Sequence, residues 1–482
     1  MARYDTVILG GKAVVPGHGA IRCDIGIRNG RVAALADDLA PRDGDEVIDA
    51  RGLIVLPGAV DAHFHMGIYR PLELDVASET ESSLVGGCTS VLSYFRTGSH
   101  YLNRTGSYAE ILPEVLAATA GRAHTDYGYH LAPMTSEQVG EIGDLVATAG
   151  ISSFKYYFFY KGLNLAADSA DAQAYTMSDG YDFGHLYSIM EAVASADGRH
   201  GARGRVSLSL HCENAELIKL FIERVRDSRL PPLEAYHRAR PPLTERLSVH
   251  EAGVLADATG VRINLLHLSS EEALLAATQV RQLYPTLDVR LETTLHHLCL
   301  THQGLEGRGL GGKVNPPIRE ATDVDALWNG IRTNAINWVA SDHACCMETM
   351  KGDDLWAALP GFGGTALIYP VMLSEGYHRR GLSLERVVDL VATAPSRAFG
   401  CHPRKGSIAI GADADLAIVD LDNEQTVTPE ILHSAQDHTP FEGVSVRGWP
   451  VRTVLRGRTV FLHGKVVGPP LGEFLNRPLG AQ

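Results

Sequence analysis

The feature that most restricts the fold is an alternation sustained through the middle of the chain. Between residues 56 and 399, short apolar runs of strand character recur between longer helix-like stretches. The strand candidates include Ser90–Tyr94, Ser152–Phe159, Val206–Leu210, Arg262–Leu266, Asp288–Leu291 and Asn337–Ala340. Repeated strand–helix units make successive strands parallel, because each crossover returns the chain to the same edge of the sheet. About 340 residues of this kind suit a TIM-like (β/α)8 barrel with long loops, within an α/β class. A doubly wound sheet is the alternative. No Gly-x-Gly-x-x-Gly follows a strand and no Walker-type loop occurs, so nothing supports nucleotide binding.

The two ends read alike and unlike the middle. Thr6–Leu9, Asp24–Arg28 and Val32–Leu35 are short strands, with Asn29-Gly30 a hairpin turn because both residues tolerate positive φ. Leu416–Asp420, Val451–Leu455 and Val460–Leu462 repeat the style, with turns at Gly457 and His463-Gly464. Each end alone has too few strands for a stable sheet. Residues 1–55 and 400–482 are therefore expected to combine into one small β-sandwich domain beside a barrel domain of residues 56–399.

At 482 residues and 45% hydrophobic, the chain can bury a large core. A net charge of −14 argues against nucleic acid or an anionic membrane as partner. Cys23, Cys88, Cys212, Cys299, Cys345, Cys346 and Cys401 are scattered, with no Cys-x-x-Cys, which fits a reduced protein rather than a disulfide scaffold. Neither a signal-peptide pattern nor a membrane-length apolar run is seen, so a cytoplasmic protein is expected.

Chemistry-bearing residues fall at the strand ends. An apolar run from Leu53 closes with Val60-Asp61-Ala62-His63-Phe64-His65. Alternate residues of a strand share a face, so His63 and His65 converge and can hold a divalent metal. His211 follows Val206–Leu210, His267 follows Asn264-Leu265-Leu266, and Asp342 follows Trp338-Val339-Ala340-Ser341. Lys155 lies within the aromatic stretch Ile151–Phe159. Each has an ordinary reading: a core histidine, a helix cap, a buried ion pair. Six in register at the C-terminal ends of barrel strands point to a shared metal site. Burial of Lys155 favours the neutral amine, which can add carbon dioxide to become a carbamate with two oxygens, able to bridge two metals.

These segments resemble the amidohydrolase superfamily, in its cyclic-amidase branch of hydantoinase, dihydropyrimidinase, allantoinase and dihydroorotase. The resemblance runs through Leu56–His65, Phe154-Lys155 with Tyr160-Lys161-Gly162, His211-Cys212-Glu213-Asn214 and His267-Leu268-Ser269-Ser270. It continues in Asn315-Pro316-Pro317-Ile318-Arg319, Ser341-Asp342-His343-Ala344, Pro403–Gly406 and Gly411–Asp415. It implies two divalent ions, usually Zn2+. His63, His65 and Asp342 would hold one, His211 and His267 the other, with carbamylated Lys155 as the bridge. Two such ions against a carbamate, an aspartate and a bridging hydroxide leave about +1, a sign that acidifies water and polarises an amide carbonyl. Asp342 would carry the proton to the leaving nitrogen. Tyr160 would stabilise the oxyanion, with aromatic packing as its plainer role. Asn315 would present its backbone to the substrate's imide edge, with turn formation as its plainer role. Relatives are often tetramers, so a homo-oligomer, tetramer or dimer, is expected.

Dihydroorotases carry an arginine two residues after the second histidine; here Gly67 stands there, which disfavours dihydroorotate. Allantoinases usually lack the tyrosine after the lysine, so Tyr160 tilts the expectation to hydantoin or dihydropyrimidine rings. Allantoin and simple cyclic imides are the alternatives, and a non-catalytic scaffold sharing the fold is a further one. Arg70 and Arg96 read as anion contacts or solvated rim residues. Cys345-Cys346 reads as a thiolate metal site or, more simply, as packing. His296-His297 and Lys313-Val314-Asn315 look more like dihydroorotases.

Overall fold

A computed structural model gives the fold and describes residues 3–98, 100–161, 180–200 and 206–478. Gly162, quoted above beside Tyr160, lies outside them. The middle of the chain forms a parallel sheet of strands β1 (Ala59–His65), β2 (Cys88–Arg96), β3 (Asp126–Ala132), β4 (Ser153–Tyr157), β5 (Ser207–His211), β6 (Ile263–Leu265), β7 (Val289–Thr294) and β8 (Trp338–Ala340), neighbouring in chain order. The ladder closes on itself at β8. Trp338–Ala340 pairs with β7, and past Ser341 and Asp342 the same chain continues as His343–Ala344 and pairs with β1, His343 opposite Phe64. This is the TIM-like barrel that the alternation predicts, and the doubly wound alternative falls away.

The barrel strands are buried along their whole length. Parallel strands covered on both faces read as continuous rather than alternating apolar runs, which is why they were legible. The candidates named from the sequence did not include β3, Asp126–Ala132, whose Asp126 and His130 break its apolar pattern. The run from Leu53 to His65 is two strands. Ile54–Pro57 belongs to a second sheet, and β1 starts after Gly58. A Cβ at Gly58 would lie 2.1 Å from the Thr89 hydroxyl, so only glycine lets the chain pass between the sheets there.

That second sheet has seven strands drawn from both ends of the chain. Ile54–Pro57 pairs antiparallel with Leu416–Thr426, Leu416 opposite Pro57, and parallel with Lys12–Val15. Tyr4–Leu9, Asp24–Arg28, Arg31–Ala36 and Gly44–Asp49 form a four-stranded sheet. Ile8, Ile25, Ile27, Val55, Leu416 and Ile418 share one buried cluster drawn from the two sheets. Asn29 and Gly30 have φ of +51° and +72°, the two left-handed positions that a tight Asn-Gly hairpin requires. Lys405, deeply buried, joins Asp126 of β3 to Asp413 and Asp415 at 2.5–2.9 Å, fastening this part of the chain to the barrel.

Candidate metal centre and cavity

The strand ends meet at the floor of a cavity of about 1090 Å³, which His65, Lys155, His211, His267 and Asp342 line. His63 lies fully buried beneath it. His63 Nε2 is 3.0 Å and His65 Nε2 3.3 Å from Asp342 Oδ1. These three side chains can place a ligand atom each within 4.8 Å of one another. Asp342 sits at the break in β8 with φ of +50°, a left-handed turn that swings its carboxylate over the first strand. His211 Nδ1 and His267 Nε2 face each other at 2.8 Å, and Lys155 Nζ is 3.1 Å from His63 Nε2. All six residues named from the sequence are therefore brought together.

What lies behind the imidazoles was not read from the sequence. His63 Nδ1 is 2.7 Å from Glu292 Oε1, which also accepts from the His267 amide at 3.1 Å; Glu292 Oε2 accepts from the Trp338 indole at 2.6 Å. His211 Nε2 is 2.7 Å from Glu213 Oε2, and Arg240 grips both oxygens of Glu213 at 2.9 and 2.6 Å. His65 Nδ1 meets the Tyr101 hydroxyl at 3.0 Å. A buried carboxylate accepts from the N–H of the nitrogen it faces, so the opposite nitrogen of His211 carries a lone pair into the centre. His63 has a carboxylate on each side, Glu292 at Nδ1 and Asp342 at Nε2. Against burial, Asp342 and Glu292 hold its pKa above the ordinary value, so a cation at Nε2 would take the place of a proton. Glu292 stands within a buried strand, and a charge there is the signal that marked Lys155. Glu213 stands two residues after His211 in the His211-Cys212-Glu213-Asn214 motif.

Burial sets the protonation of the floor. It holds the Lys155 ammonium down to about 7, against the opposing pull of Asp342 and Glu292. The Lys155 amine rests 3.9 Å from the Tyr94 ring centre and 4.6 Å from that of Tyr157. Burial likewise pushes His65 down to about 3 and His211 to about 4, so both rings are neutral and able to ligate. For Asp342 burial alone would raise the pKa, but His63, His65 and His267 together hold it well below the carboxylate range. Neutral imidazoles at His65, His211 and His267, the His63 ring, one ionised carboxylate and an amine poised near neutrality form a donor set that fits borderline divalent ions. The mutually facing nitrogens of His211 and His267 need a cation or a proton between them.

Tyr160 ends a single 3-10 turn after β4 (Phe158–Tyr160) and lines the cavity, with the Arg96 guanidinium 5.3 Å from its ring centre. Asn315 also lines the cavity, and its side-chain oxygen accepts from the Tyr236 hydroxyl. Arg96 is buried in the cavity wall rather than solvated at a rim. Arg70 turns away, bonding Asp75 at 2.9 Å and lying 3.4 Å from Glu79. Cys345 packs beside that cluster, and burial pushes both the Cys345 and Cys346 thiols upward. His297 lies under the Asn-Pro-Pro loop, 3.2 Å from the Pro316 carbonyl.

Comparison with known proteins places the chain among hydrolases. Residues 206–460 match the Amidohydrolase family. The chain is 32% identical over 478 residues to an allantoinase of Rubrobacter xylanophilus, covering 98% of each. It is 28% identical over 486 residues to a D-hydantoinase of Ralstonia pickettii, covering 98% of this chain and 99% of that one. It superposes on a solved D-hydantoinase with a TM-score of 0.86 at 28% identity, covering 99% and 100% of the two chains.

Proposed function

The chain belongs to the amidohydrolase family, and on that premise we propose that it is a binuclear metal-dependent hydrolase opening a cyclic amide or ureide ring of the hydantoin or dihydropyrimidine type. The observation that carries this reading is the convergence of inward-facing nitrogens and one ionised carboxylate on the cavity floor, with the outer nitrogens of His63 and His211 held by Glu292 and Glu213. His63 Nε2, His65 Nε2 and Asp342 would hold one ion, and His211 Nδ1 and His267 Nε2 the second. Lys155, neutral near pH 7, would add carbon dioxide with loss of a proton and bridge the two as a carbamate. Zinc suits this donor set. Two such ions, when bound, acidify water and polarise the scissile carbonyl.

The chain's own residues divide the remaining work. Asp342, kept ionised at the break in β8, takes the proton of the attacking water and delivers it to the ring nitrogen as the C–N bond breaks. The Tyr160 hydroxyl donates to the oxyanion that forms on the carbonyl oxygen. Asn315, its side chain engaged by Tyr236, leaves its backbone to the ring's imide edge. The cavity has room for a ring with a substituent. Allantoin is the second reading, favoured by the 32%-identical allantoinase. We read residues 1–55 and 400–482 as one small domain supporting the barrel, and the protein as a cytoplasmic homo-oligomer, tetramer or dimer. Seven cysteines without a disulfide and no described helix able to cross a membrane support that location.

Metal analysis with a panel assay tests the whole reading. Zinc-loaded protein should hold close to two ions per chain and turn over hydantoins or dihydrouracil faster than allantoin, dihydroorotate or simple imides. A chain that binds no metal and opens none of these rings is a scaffold instead.

A further inference from the structure

We propose that Tyr101 is a positioning residue that orients His65 as a metal ligand, an inference that rests on the two-ion reading above. The imidazoles differ in what holds the nitrogen facing away from the centre. For His63 and His211 it is a buried carboxylate at 2.7 Å. For His65 it is the phenol oxygen of Tyr101, 3.0 Å from Nδ1. To present the lone pair of Nε2 beside Asp342, His65 must carry its proton on Nδ1, and the Tyr101 oxygen must accept a hydrogen bond from that N–H. A neutral hydroxyl accepts less strongly than a carboxylate, so His65 is held more weakly from behind than His63 or His211.

The backbone around Tyr101 is shaped to deliver that hydroxyl. Gly98 and Arg104 bridge across the loop that follows β2, closing it tightly. Within it His100, Tyr101 and Asn103 hold φ of +66°, +56° and +52°. A bulky aromatic rarely adopts this left-handed region, where glycine would sit without steric penalty but would bring no hydroxyl. Strain kept at a residue whose side chain reaches a ligand imidazole points from the outlier to a role. The ring is fixed as well: it is 8% exposed, with the Phe95 ring centre 5.1 Å away and the Arg96 guanidinium 6.0 Å from its own centre. Held this way, the loop aims one oxygen at one nitrogen.

The test follows release of cobalt from the cobalt-loaded protein into excess dipicolinate by visible absorbance, in the wild type and in Tyr101→Phe. Release should be biphasic. In the variant one phase should quicken by about 10- to 100-fold while the other stays within about twofold. The metal-free variant should stay folded by circular dichroism, losing no more than one buried hydrogen bond. Two unchanged phases, or two phases accelerated together, overturn the inference and leave the two-ion reading standing. A wild type that takes up no cobalt overturns the two-ion reading and this inference with it.

Discussion

Replacing Glu292 with glutamine tests whether the outer shell sets the tautomers of the centre. Glu292 is fully buried and spends both oxygens on donors: the His63 ring and His267 amide on Oε1, the Trp338 indole on Oε2. Glutamine keeps the shape but offers one accepting oxygen and an NH2 group. If the NH2 faces Trp338, two donors meet and a buried indole N–H loses its partner, which costs about 1–3 kcal/mol. If it faces His63, Nδ1 must become an acceptor, and the ring proton moves to Nε2, where the lone pair for the metal was. Either way a charge-assisted bond of about 1.5–3 kcal/mol is lost behind a ligand. That range agrees with the 10- to 100-fold, or about 1.4–2.7 kcal/mol, typical of outer-shell substitutions at metal sites. Zinc affinity from competition with a calibrated chelator should fall by that factor in Glu292→Gln, with the fold intact by circular dichroism. A folded variant that binds both ions with wild-type affinity would refute the tautomer argument.

Three further outcomes are expected. Lys155→Ala should lose both the bridged pair of ions and turnover; a variant with two metals and full activity ends the carbamate reading. Tyr160→Phe should lower kcat by about 10²-fold or more if its hydroxyl meets the oxyanion, and an unchanged kcat would make the residue packing alone. In metal-free, carbon-dioxide-free buffer, burial holds Lys155 near 7 in the folded chain against 10.5 ordinarily. Below about pH 7 the amine is charged in both states and its burial opposes folding in full. From about 7 to 10.5 only the unfolded chain binds the proton, so folding stability rises with pH across that window. Urea denaturation at about pH 6.5 and 9.5 should show wild type gaining on Lys155→Met at the higher pH, and a flat difference would rule this out.

The barrel was legible because its strands are buried on both faces and so read as uninterrupted apolar runs between helices. The exceptions have physical causes. In Asp126–Ala132 a buried aspartate and histidine satisfy partners elsewhere, Asp126 with Lys405 and His130 with Ser153, and their polarity masked the strand. Leu53–His65 looked like one strand because hydrophobic periodicity carries no mark of a change of sheet. Pro57-Gly58 marks the break, and Gly58 is needed there through its closeness to Thr89.

The same distinction runs through the site. Donors that face the cavity stand at strand ends, where a polar residue interrupts an apolar run, so position along the chain was enough to name them. Their supports are fixed only in three dimensions. Glu292 reaches His63 across 229 residues of sequence, and Arg240 reaches Glu213 across 27. No spacing rule connects such pairs. The one local cue was a charge inside a buried strand, which Lys155 and Glu292 share and which was followed for Lys155 alone. Applied to both, it would have named the base of the centre as well as its bridge. A carboxylate fully buried in β7 needs donors on every oxygen, and Glu292 finds them in the His63 ring of β1, the His267 amide just past β6 and the Trp338 indole of β8.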